Sequence, residues 1–457
     1  MQRSWTKSIV TLFAVAIVTL VALLFAVFLP ADSTPAYAAE PVEGTTTTEQ
    51  VSDASSVMDA DALKAAVEKG GEVVLGSDIT ADVVVPKDVA VTLDLNGHTL
   101  TNSSNHTIIN YGTLTITDGS ADKNGTVDNV THGKGALVNY GVATLSGGTF
   151  TRSKEASISS SDNGGNSWYT LKNYGEMTIE AGVNVTTGSP ETLTGKFSSL
   201  IANGFQSRTD YTEKHGSVTT KNVAKLTITG GTFSGGLNTV KNDEVYSNGD
   251  TVLSSTLIIS GGTFTNTSQH VIMNYGSAEI SGGEFDAPSA SAAMWNAAST
   301  GDDTYSATIG TADIIGGTFN GGDYGIVGLD GAQITISGEA SVNGKYAVIL
   351  NGYTTKADLK GGTYTGALHE QYADTLFVSS GDFDRAFDLD LLAPDSSLYI
   401  AADGKYTAGS SSDTSGSKVV LVADGKGYAS VENAANDGVA AIVGTNGYKS
   451  GTSKMRV

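Results

Sequence analysis

Residues 271–285 read VIMNYGSAEISGGEF, and residues 136–150 read ALVNYGVATLSGGTF. Both stretches place the Asn of an Asn-Tyr-Gly eight residues before the first Gly of a Gly-Gly. Apolar and polar side chains alternate between the two motifs, as is typical of a β-strand that buries one face. A chain that repeats such a unit stacks copies of one local structure, so this phrase decides the fold.

The chain contains ten copies of the unit when it is aligned on the first Gly of each Gly-Gly, or on the residue in its place. The position four residues before this anchor is apolar in every copy, and an apolar residue, often Phe, follows about three residues after the anchor. Two residues before the anchor stands Leu or Ile in every copy: Leu95, Ile116, Leu145, Ile179, Ile228, Ile259, Ile280, Ile314, Ile336 and Leu359. We predict two short strands per copy, separated by a corner that the glycines permit.

A further row of the repeat is made of Asn, with Asp330 in one copy. Buried amide groups are costly when they are unpaired, so we predict that the Asn side chains form a hydrogen-bonded ladder at one corner. The predicted ladder residues are Asn110, Asn139, Asn173, Asn203, Asn242, Asn274, Asn296 and Asn351.

The shortest copies set the architecture, because only 22 residues separate Asn274 from Asn296 and 21 separate Asp330 from Asn351. That length holds three short strands and three corners, but not the four strands of a β-propeller blade. We therefore predict an all-β fold, a single right-handed parallel β-helix of about ten or eleven turns with a short N-terminal capping helix.

Three stretches resemble known β-helical proteins. VEKGGEVVLGSDIT (residues 67–80) and VTLDLNGHTL (91–100) resemble the entry to right-handed parallel β-helix proteins of the pectin-lyase-like type, and LTITGGTF (226–233) resembles β-helical surface proteins of Gram-positive bacteria. The resemblance covers about residues 56–385 and specifies fold better than function. It implies an extracellular bacterial protein, often adhesive or associated with glycans.

The N-terminus predicts export. Arg3 and Lys7 precede an apolar run, and AYAA (residues 36–39) provides a small-residue cleavage site, so residues 1–38 read as a signal peptide. The alternative is an uncleaved anchor, because the run is long enough to span a bilayer. With the signal removed, we expect a mature form that does not span the membrane, located outside the cell or on its surface. No motif indicates how it is retained.

The remaining chain divides into four parts. Residues 39–55 read as a polar linker, 56–72 as the capping helix, 73–390 as the β-helix and 391–457 as a C-terminal cap and tail. The chain has 48 Asp and Glu against 26 Lys and Arg, a net charge of −22, which argues against nucleic acid as a partner.

Candidate binding residues lie at the Asn corner. Long insertions follow Asn203, Asn242 and Asn296, and loops that leave one corner of a repeat scaffold are a usual place for binding, with neutral drift in loop length as the alternative. The row before the Asn should face outward, which predicts an apolar stripe of Met273, Trp295, Leu329 and Leu350. Such a stripe indicates either a partner surface or, as the favoured interpretation, packing beneath the loops.

Two further aromatic residues stand in an insertion before Asn173. Trp168 and Tyr169 could stack on a sugar ring or hold that insertion against the body of the protein. The Tyr that follows the Asn in four copies predicts an outer aromatic ladder of Tyr111, Tyr140, Tyr174 and Tyr275.

Signals for catalysis are weak. Polysaccharide-cleaving enzymes of this fold need grouped carboxylates, or carboxylates with calcium and a basic residue. The outward-facing acids Glu279, Asp313 and Asp358 stand in different copies, and the six His show no metal-ligand spacing. We therefore predict no catalytic residues, no metal and no cofactor. The expected function is binding of a glycan or of a host or matrix protein, with a polysaccharide lyase or glycoside hydrolase as the alternative.

Overall fold

The computed structural model describes residues 56–131, 133–153, 169–187, 199–204, 224–243, 246–248, 251–253, 255–298, 309–400, 404–410, 417–418, 421–422 and 427–428. Most of the strands belong to a single sheet that coils through stacked layers, and each strand pairs in parallel with its equivalents in the layers before and after. The predicted all-β parallel β-helix is confirmed. Three columns of strands make up its sides.

The first column carries the alternating Leu and Ile row. Its strands are Gly71–Val74, Ala90–Asp94, Thr113–Thr117, Val142–Leu145, Glu176–Ile179, Lys225–Ile228, Thr256–Ile259, Ser277–Ile280, Thr311–Ile314, Gln333–Ile336 and the first parts of Lys356–Glu370 and Leu376–Phe383. The register stacks twelve buried side chains: Val73, Leu93, Ile116, Leu145, Ile179, Ile228, Ile259, Ile280, Ile314, Ile336, Leu359 and Val378.

This column corrects the sequence alignment at both ends. Leu93, not Leu95, pairs with Ile116, although both leucines are buried. Two alignments that differ by two residues bury the same face, so alternation alone does not distinguish them. Val73 and Val378 add strands that have no Gly pair, so the first column holds twelve strands, which span the eleven turns at the upper end of the prediction.

The second column fills the interior with aromatic rings. Phe233, Phe264, Phe285 and Phe319 stack in consecutive layers, with ring centroids 4.5, 4.9 and 4.7 Å apart. All four are fully buried. The strands are Ile79–Thr80, Thr99–Thr101, Thr126–Asp128, Gly148–Thr151, Val183–Thr186, Thr232–Ser234, Thr263–Thr265, Glu284–Asp286, Thr318–Asn320 and parts of Ser341–Asn351, Lys356–Glu370 and Leu376–Phe383.

The third column carries the Asn row. Its strands are Val83–Val85, Ile108–Asn110, Leu137–Asn139, Leu171–Asn173, Ile201–Asn203, Val240–Asn242, Ile272–Asn274, Ala292–Ala297, Tyr324–Leu329 and the final parts of Ser341–Asn351 and Lys356–Glu370.

Seven Asn side chains form the predicted ladder, from Asn110 to Asn296. Each Nδ2 donates a hydrogen bond to the Oδ1 of the next Asn, over 2.5–2.8 Å, and all seven residues are fully buried. At the C-terminal end, the Nδ2 of Asn296 donates instead to the backbone carbonyl of Gly310, over 3.1 Å. The described ladder therefore satisfies amides that burial would otherwise make costly.

Asn351 does not belong to this ladder, contrary to the sequence prediction. The register aligns Gly328 with Asn296 and Leu350 with Gly328, while Asn351 pairs with Leu329 and is exposed. A Cβ on Gly328 would lie 2.7 Å from Cδ2 of Leu350. An apolar Leu350 side chain thus packs against Gly328 where the amide column would have continued.

The Gly of the Asn-Tyr-Gly motif is required by the closeness of the layers. A Cβ on Gly175 would lie 2.1 Å from the backbone oxygen of Gly141, and a Cβ on Gly141 would lie 2.1 Å from that of Gly112. Any side chain at this corner would force neighbouring layers apart.

The N-terminal helix runs from Ala60 to Lys69. Asp59 caps it by accepting a hydrogen bond from the backbone N–H of Ala62, and Gly70 ends it with a φ of 79°. Leu63 and Val67 are buried within the same apolar core as the first layer. The helix thus covers apolar side chains that the first turn of a coil would otherwise expose.

The C-terminal part changes from parallel to antiparallel pairing. A 3-10 helix at Leu389–Leu391 precedes the antiparallel strands Ser396–Ile400, Tyr406–Ser410 and Ser417–Lys418, which pair onto the end of Leu376–Phe383. Two short antiparallel pairs stand apart from the main sheet, Tyr246–Asn248 with Thr251–Leu253 and Leu421–Val422 with Gly427–Tyr428.

The predicted signal peptide 1–38 and linker 39–55 lie outside the described residues. Among the residues that the structure does describe, no helix has both the length and the apolar character needed to cross a membrane.

Candidate functional site

The outer face of the third column is the candidate binding surface. Met273 and Trp295 pair in adjacent layers of one row, as the sequence predicts, and both are half-buried. The row continues with Val327 and Ile349 rather than with Leu329 and Leu350.

The register of the Gly328 layer explains this correction. Because Gly328, and not Asp330, occupies the Asn position, the outward residue before it is Val327. Leu329 instead pairs with Ala297 and Asn351 and is half-buried at the corner, and Leu350 points into the core with 1% of its surface exposed.

A buried histidine supports Trp295. The rings of His270 and Trp295 stack with centroids 4.5 Å apart, and His270 is only 8% exposed. Nδ1 of His270 accepts a hydrogen bond from the backbone N–H of Ala292, over 3.2 Å, so the proton of the neutral ring sits on Nε2. Burial lowers the pKa of His270 to about 4, which keeps the ring neutral at physiological pH.

We expect His270 to make stability depend on pH in a defined window. In the unfolded state His270 is protonated below its ordinary pKa of 6.5, whereas in the folded state it is protonated only below a pKa of about 4. The free energy of unfolding should therefore be unaffected above the upper value and fall by about 3 kcal/mol between the two. Urea unfolding across this range measures the loss.

A His270→Gln variant isolates the contribution of the histidine, because a glutamine side chain does not titrate there. The stability of this variant should depend less steeply on pH across the window than that of the wild type. An identical slope in His270→Gln and wild type would contradict the assignment. Carboxyl groups add their own dependence at lower pH, as at Asp118, where burial is outweighed by hydrogen bonds from Ser120 and Gly125 that lower its pKa below the ordinary value of 3.8.

Aromatic side chains continue along this face toward the C-terminus. Tyr324 and Tyr346 stand in adjacent layers with ring centroids 5.9 Å apart, and His369 lies 5.9 Å beyond Tyr346. Nζ of Lys345 lies 5.7 Å from the Tyr346 ring centroid. The outer face from Met273 to His369 thus consists mainly of apolar and aromatic groups, of which Val327 is buried at 4% exposure.

Among the described residues, the most exposed aromatic pair lies at the adjoining corner. Tyr353 is 76% exposed and Tyr372 is 42% exposed, and their rings meet edge to face with centroids 5.9 Å apart. The sequence prediction missed both. A signal was present in the order of residues, because Asn351-Gly352-Tyr353 reverses the Tyr and Gly of the repeated Asn-Tyr-Gly.

The other predicted aromatic candidates occupy different surroundings. Tyr169 is 5% exposed, and Nζ of Lys172 lies 4.7 Å from its ring centroid, so its ring faces protein. This contact is consistent with holding its segment in place rather than with stacking on a sugar. Trp168 lies outside the described residues.

The outer Tyr ladder is shorter than predicted. Tyr111, Tyr140 and Tyr174 stack with centroids 5.1 and 4.9 Å apart. Gly204 and Asp243 follow the Asn in the next two layers, so they separate Tyr275 from the others.

Asp243 forms a buried ion cluster at this break in the Tyr ladder. Its carboxylate lies 2.6 Å from Nζ of Lys241 and 3.5 Å from Nζ of Lys172, and both Asp243 and Lys172 are almost fully buried. Lys172 reaches Asp243 across the layer of Ala202, whose small side chain leaves room for it. The cluster links the layer of Lys172 to that of Asp243 across the layer of Ala202, and two of the three insertions follow Asn203 and Asn242 in the latter two layers.

The starting points of the three insertions lie in one row, as predicted. Asn203, Asn242 and Asn296 all belong to the Asn ladder, and the chain returns to the first column at Lys225, Thr256 and Thr311. Apart from the hairpin formed by residues 246–248 and 251–253, most of the inserted residues lie outside those described.

The predicted acidic positions are brought together only in part. Glu279 and Asp313 are exposed and directly paired in adjacent layers, whereas Thr335 separates Asp313 from Asp358. Among the described residues, no group of three His, Asp or Glu side chains is arranged to hold a metal ion.

Comparisons of the chain with protein-family models, with curated proteins and with solved structures give no match. The resemblance to pectin-lyase-like proteins and to Gram-positive surface proteins therefore stays an expectation.

Proposed function

We propose that this protein is exported and acts by binding a glycan, as an adhesin-like surface or secreted protein of a bacterium. The observation that carries the proposal is the exposed pair Tyr353 and Tyr372, which adjoins the aromatic face that runs from Met273 to His369. Large exposed aromatic groups that adjoin one another indicate an interaction surface.

The chemistry of the pair supports a sugar ligand. The planes of the two rings are nearly perpendicular, at 83°, so the edge of one ring meets the face of the other. A tyrosine offers an apolar ring face to the C–H groups of a sugar and a hydroxyl to its polar groups. The net charge of −22 disfavours strongly acidic polymers at long range, so neutral glycans are the expected class.

Binding to a glycan array and to immobilised matrix proteins tests the proposal. We expect the wild-type protein to bind a neutral glycan and the Tyr353→Ala variant to bind it at least about tenfold more weakly. Tyr111→Ala is the matched control, because Tyr111 is 47% exposed but stacks in the outer ladder, several layers away from this pair. Equal binding by both variants would exclude the corner, and binding only to a matrix protein would exclude the glycan.

Cleavage of a polysaccharide is the second candidate function. The exposed carboxylates of Glu279 and Asp313 in adjacent layers favour it, because glycosidases use paired carboxylates as acid and base. Incubation with acidic and neutral polysaccharides distinguishes the two functions. Release of reducing or unsaturated ends that is abolished by Glu279→Gln would replace binding with catalysis as the function.

A further inference from the structure

The Asn-Gly pairs of the chain differ in how their reactive groups are held. When Gly follows Asn, the backbone nitrogen of the Gly can approach the side-chain carbonyl carbon of the Asn, because Gly has no Cβ to obstruct it. Asn is for this reason a chemically labile residue in proteins. Hydrogen bonds that hold the Asn amide or the Gly N–H oppose this approach.

Six Asn-Gly pairs lie wholly within the described residues, beginning at Asn96, Asn124, Asn203, Asn320, Asn343 and Asn351. In the ladder, Nδ2 of Asn203 donates to Oδ1 of Asn242 over 2.8 Å, and the N–H of Gly204 donates to the carbonyl of Asn173 over 2.9 Å. The reacting groups of this pair are thus both engaged.

Four of the other pairs are also held. Asp118 accepts the N–H groups of Gly97 and Gly125, over 2.9 and 2.7 Å. The side-chain amides of Asn320 and Asn343 donate to Asp286 and Asn320, respectively, over 2.7 and 2.9 Å.

Asn351 is the exception. Its side chain is exposed, and its hydrogen bond is made by its backbone carbonyl, which accepts from Oγ1 of Thr355 over 3.0 Å. Gly352 has a φ of 114° and also uses its carbonyl, which accepts the N–H of Thr355 over 3.2 Å. In the described part of the chain, no hydrogen bond engages the Asn351 side-chain amide or the Gly352 N–H.

We propose that Asn351 is a site of spontaneous deamidation in the folded protein. Solvent base removes the proton of the Gly352 amide, and the nitrogen attacks Cγ of Asn351. A C–N bond forms to close a five-membered succinimide, and the bond from Cγ to Nδ2 breaks and releases ammonia. Water then opens the ring at either carbonyl, which leaves an aspartate or an isoaspartate with one new carboxylate.

The site matters because of its neighbours. Tyr353, two residues further on, is 76% exposed and contacts Tyr372. The reaction adds a negative charge next to this aromatic corner, and the isoaspartate product also lengthens the backbone there. The deamidation proposal does not depend on what the corner binds.

Peptide mapping of the full-length protein tests the proposal with an internal control. Trypsin places Asn351 in the peptide of residues 346–356 and Asn203 in that of residues 197–208, and each peptide holds one Asn-Gly pair. After incubation of folded protein at mildly alkaline pH, mass spectrometry should find deamidation in the first peptide at least about tenfold faster than in the second. In concentrated urea, the two rates should converge.

Two outcomes would overturn the proposal. One is an equal rate at Asn203 and Asn351 in folded protein, and the other is an unchanged Asn351 while Asn203 converts in urea. An Asn351→Gln variant should lose the new product from peptide 346–356, because the longer side chain does not close the five-membered ring. Persistence of the same mass shift in that variant would place the reaction at another residue.

Discussion

Replacing Asn203 by Asp should lower the free energy of unfolding by about 4 kcal/mol at neutral pH. Nδ2 of Asn203 donates to Oδ1 of Asn242 over 2.8 Å and to the carbonyl of Thr256 over 2.9 Å. A carboxylate has no proton for either acceptor, so the substitution loses two hydrogen bonds and turns a buried negative charge toward two oxygen atoms. Chemical denaturation followed by circular dichroism measures the loss.

The matched control for this substitution is Asn351→Asp. Asn203 stands in Ile-Ala-Asn-Gly and Asn351 in Ile-Leu-Asn-Gly, so the local sequences are almost the same. Asn351 is exposed and outside the ladder, so its substitution should change stability by less than about 0.5 kcal/mol. Because a protonated carboxyl can donate one hydrogen bond, the loss in Asn203→Asp should shrink at acidic pH. Equal effects of both substitutions would contradict a stabilising ladder.

Truncating Phe264 to Ala should cost a similar amount, about 4 kcal/mol. The ring of Phe264 is fully buried between those of Phe233 and Phe285, with centroids 4.5 and 4.9 Å away. Its removal leaves a cavity with apolar walls in the middle of the aromatic column, and both neighbouring rings lose a stacking partner. The midpoint and slope of urea unfolding measure the change.

Two further variants set the scale for Phe264→Ala. Val142 is 45% exposed on the first column, so Val142→Ala should be nearly neutral. Phe264→Leu keeps part of the buried volume and should cost about half as much as Phe264→Ala. A loss below about 1 kcal/mol in Phe264→Ala would mean that the layers close over the missing ring.

The sequence predicted the interior of this fold well because the interior repeats. Residues such as Ile228, Ile259 and Ile280 occupy equivalent positions of short strands, and each meets its own equivalent in the next layer. The same reasoning located the Asn ladder from Asn110 to Asn296, since a buried amide needs a partner and the nearest one is its own repeat.

Errors arose where one layer departs from the pattern of its neighbours. Leu95 and Asn351 each continue the expected alternation. Alternation does not distinguish alignments that differ by two residues, so the geometry of the corners sets the register. The ladder ends at the layer of Gly328, which has no side-chain amide. Asp330 and Asn351 match the spacing of the ladder in the sequence, but they lie outside its column in the structure.

The candidate site was only partly predictable for a related reason. Met273 and Trp295 were found because they stand at a repeated position that should face outward and yet carries mostly apolar residues. Tyr353 stands in a reversed form of the repeated Asn-Tyr-Gly, and the exposure of Tyr353 and Tyr372 depends on tertiary structure that the repeat alone does not give.

The ladder also bears on how such a rod changes length over evolutionary time. Each described ladder amide donates its Nδ2 toward the C-terminal end of the stack. Each turn therefore presents an Oδ1 acceptor to the turn before it and an Nδ2 donor to the turn after it. A gene duplication of the segment from Asn274 to Trp295 would insert one amide, one Ile and one Phe with matching contacts on both sides. Growth by whole turns leaves each junction chemically unchanged, whereas insertion of a partial turn would break all three columns at once.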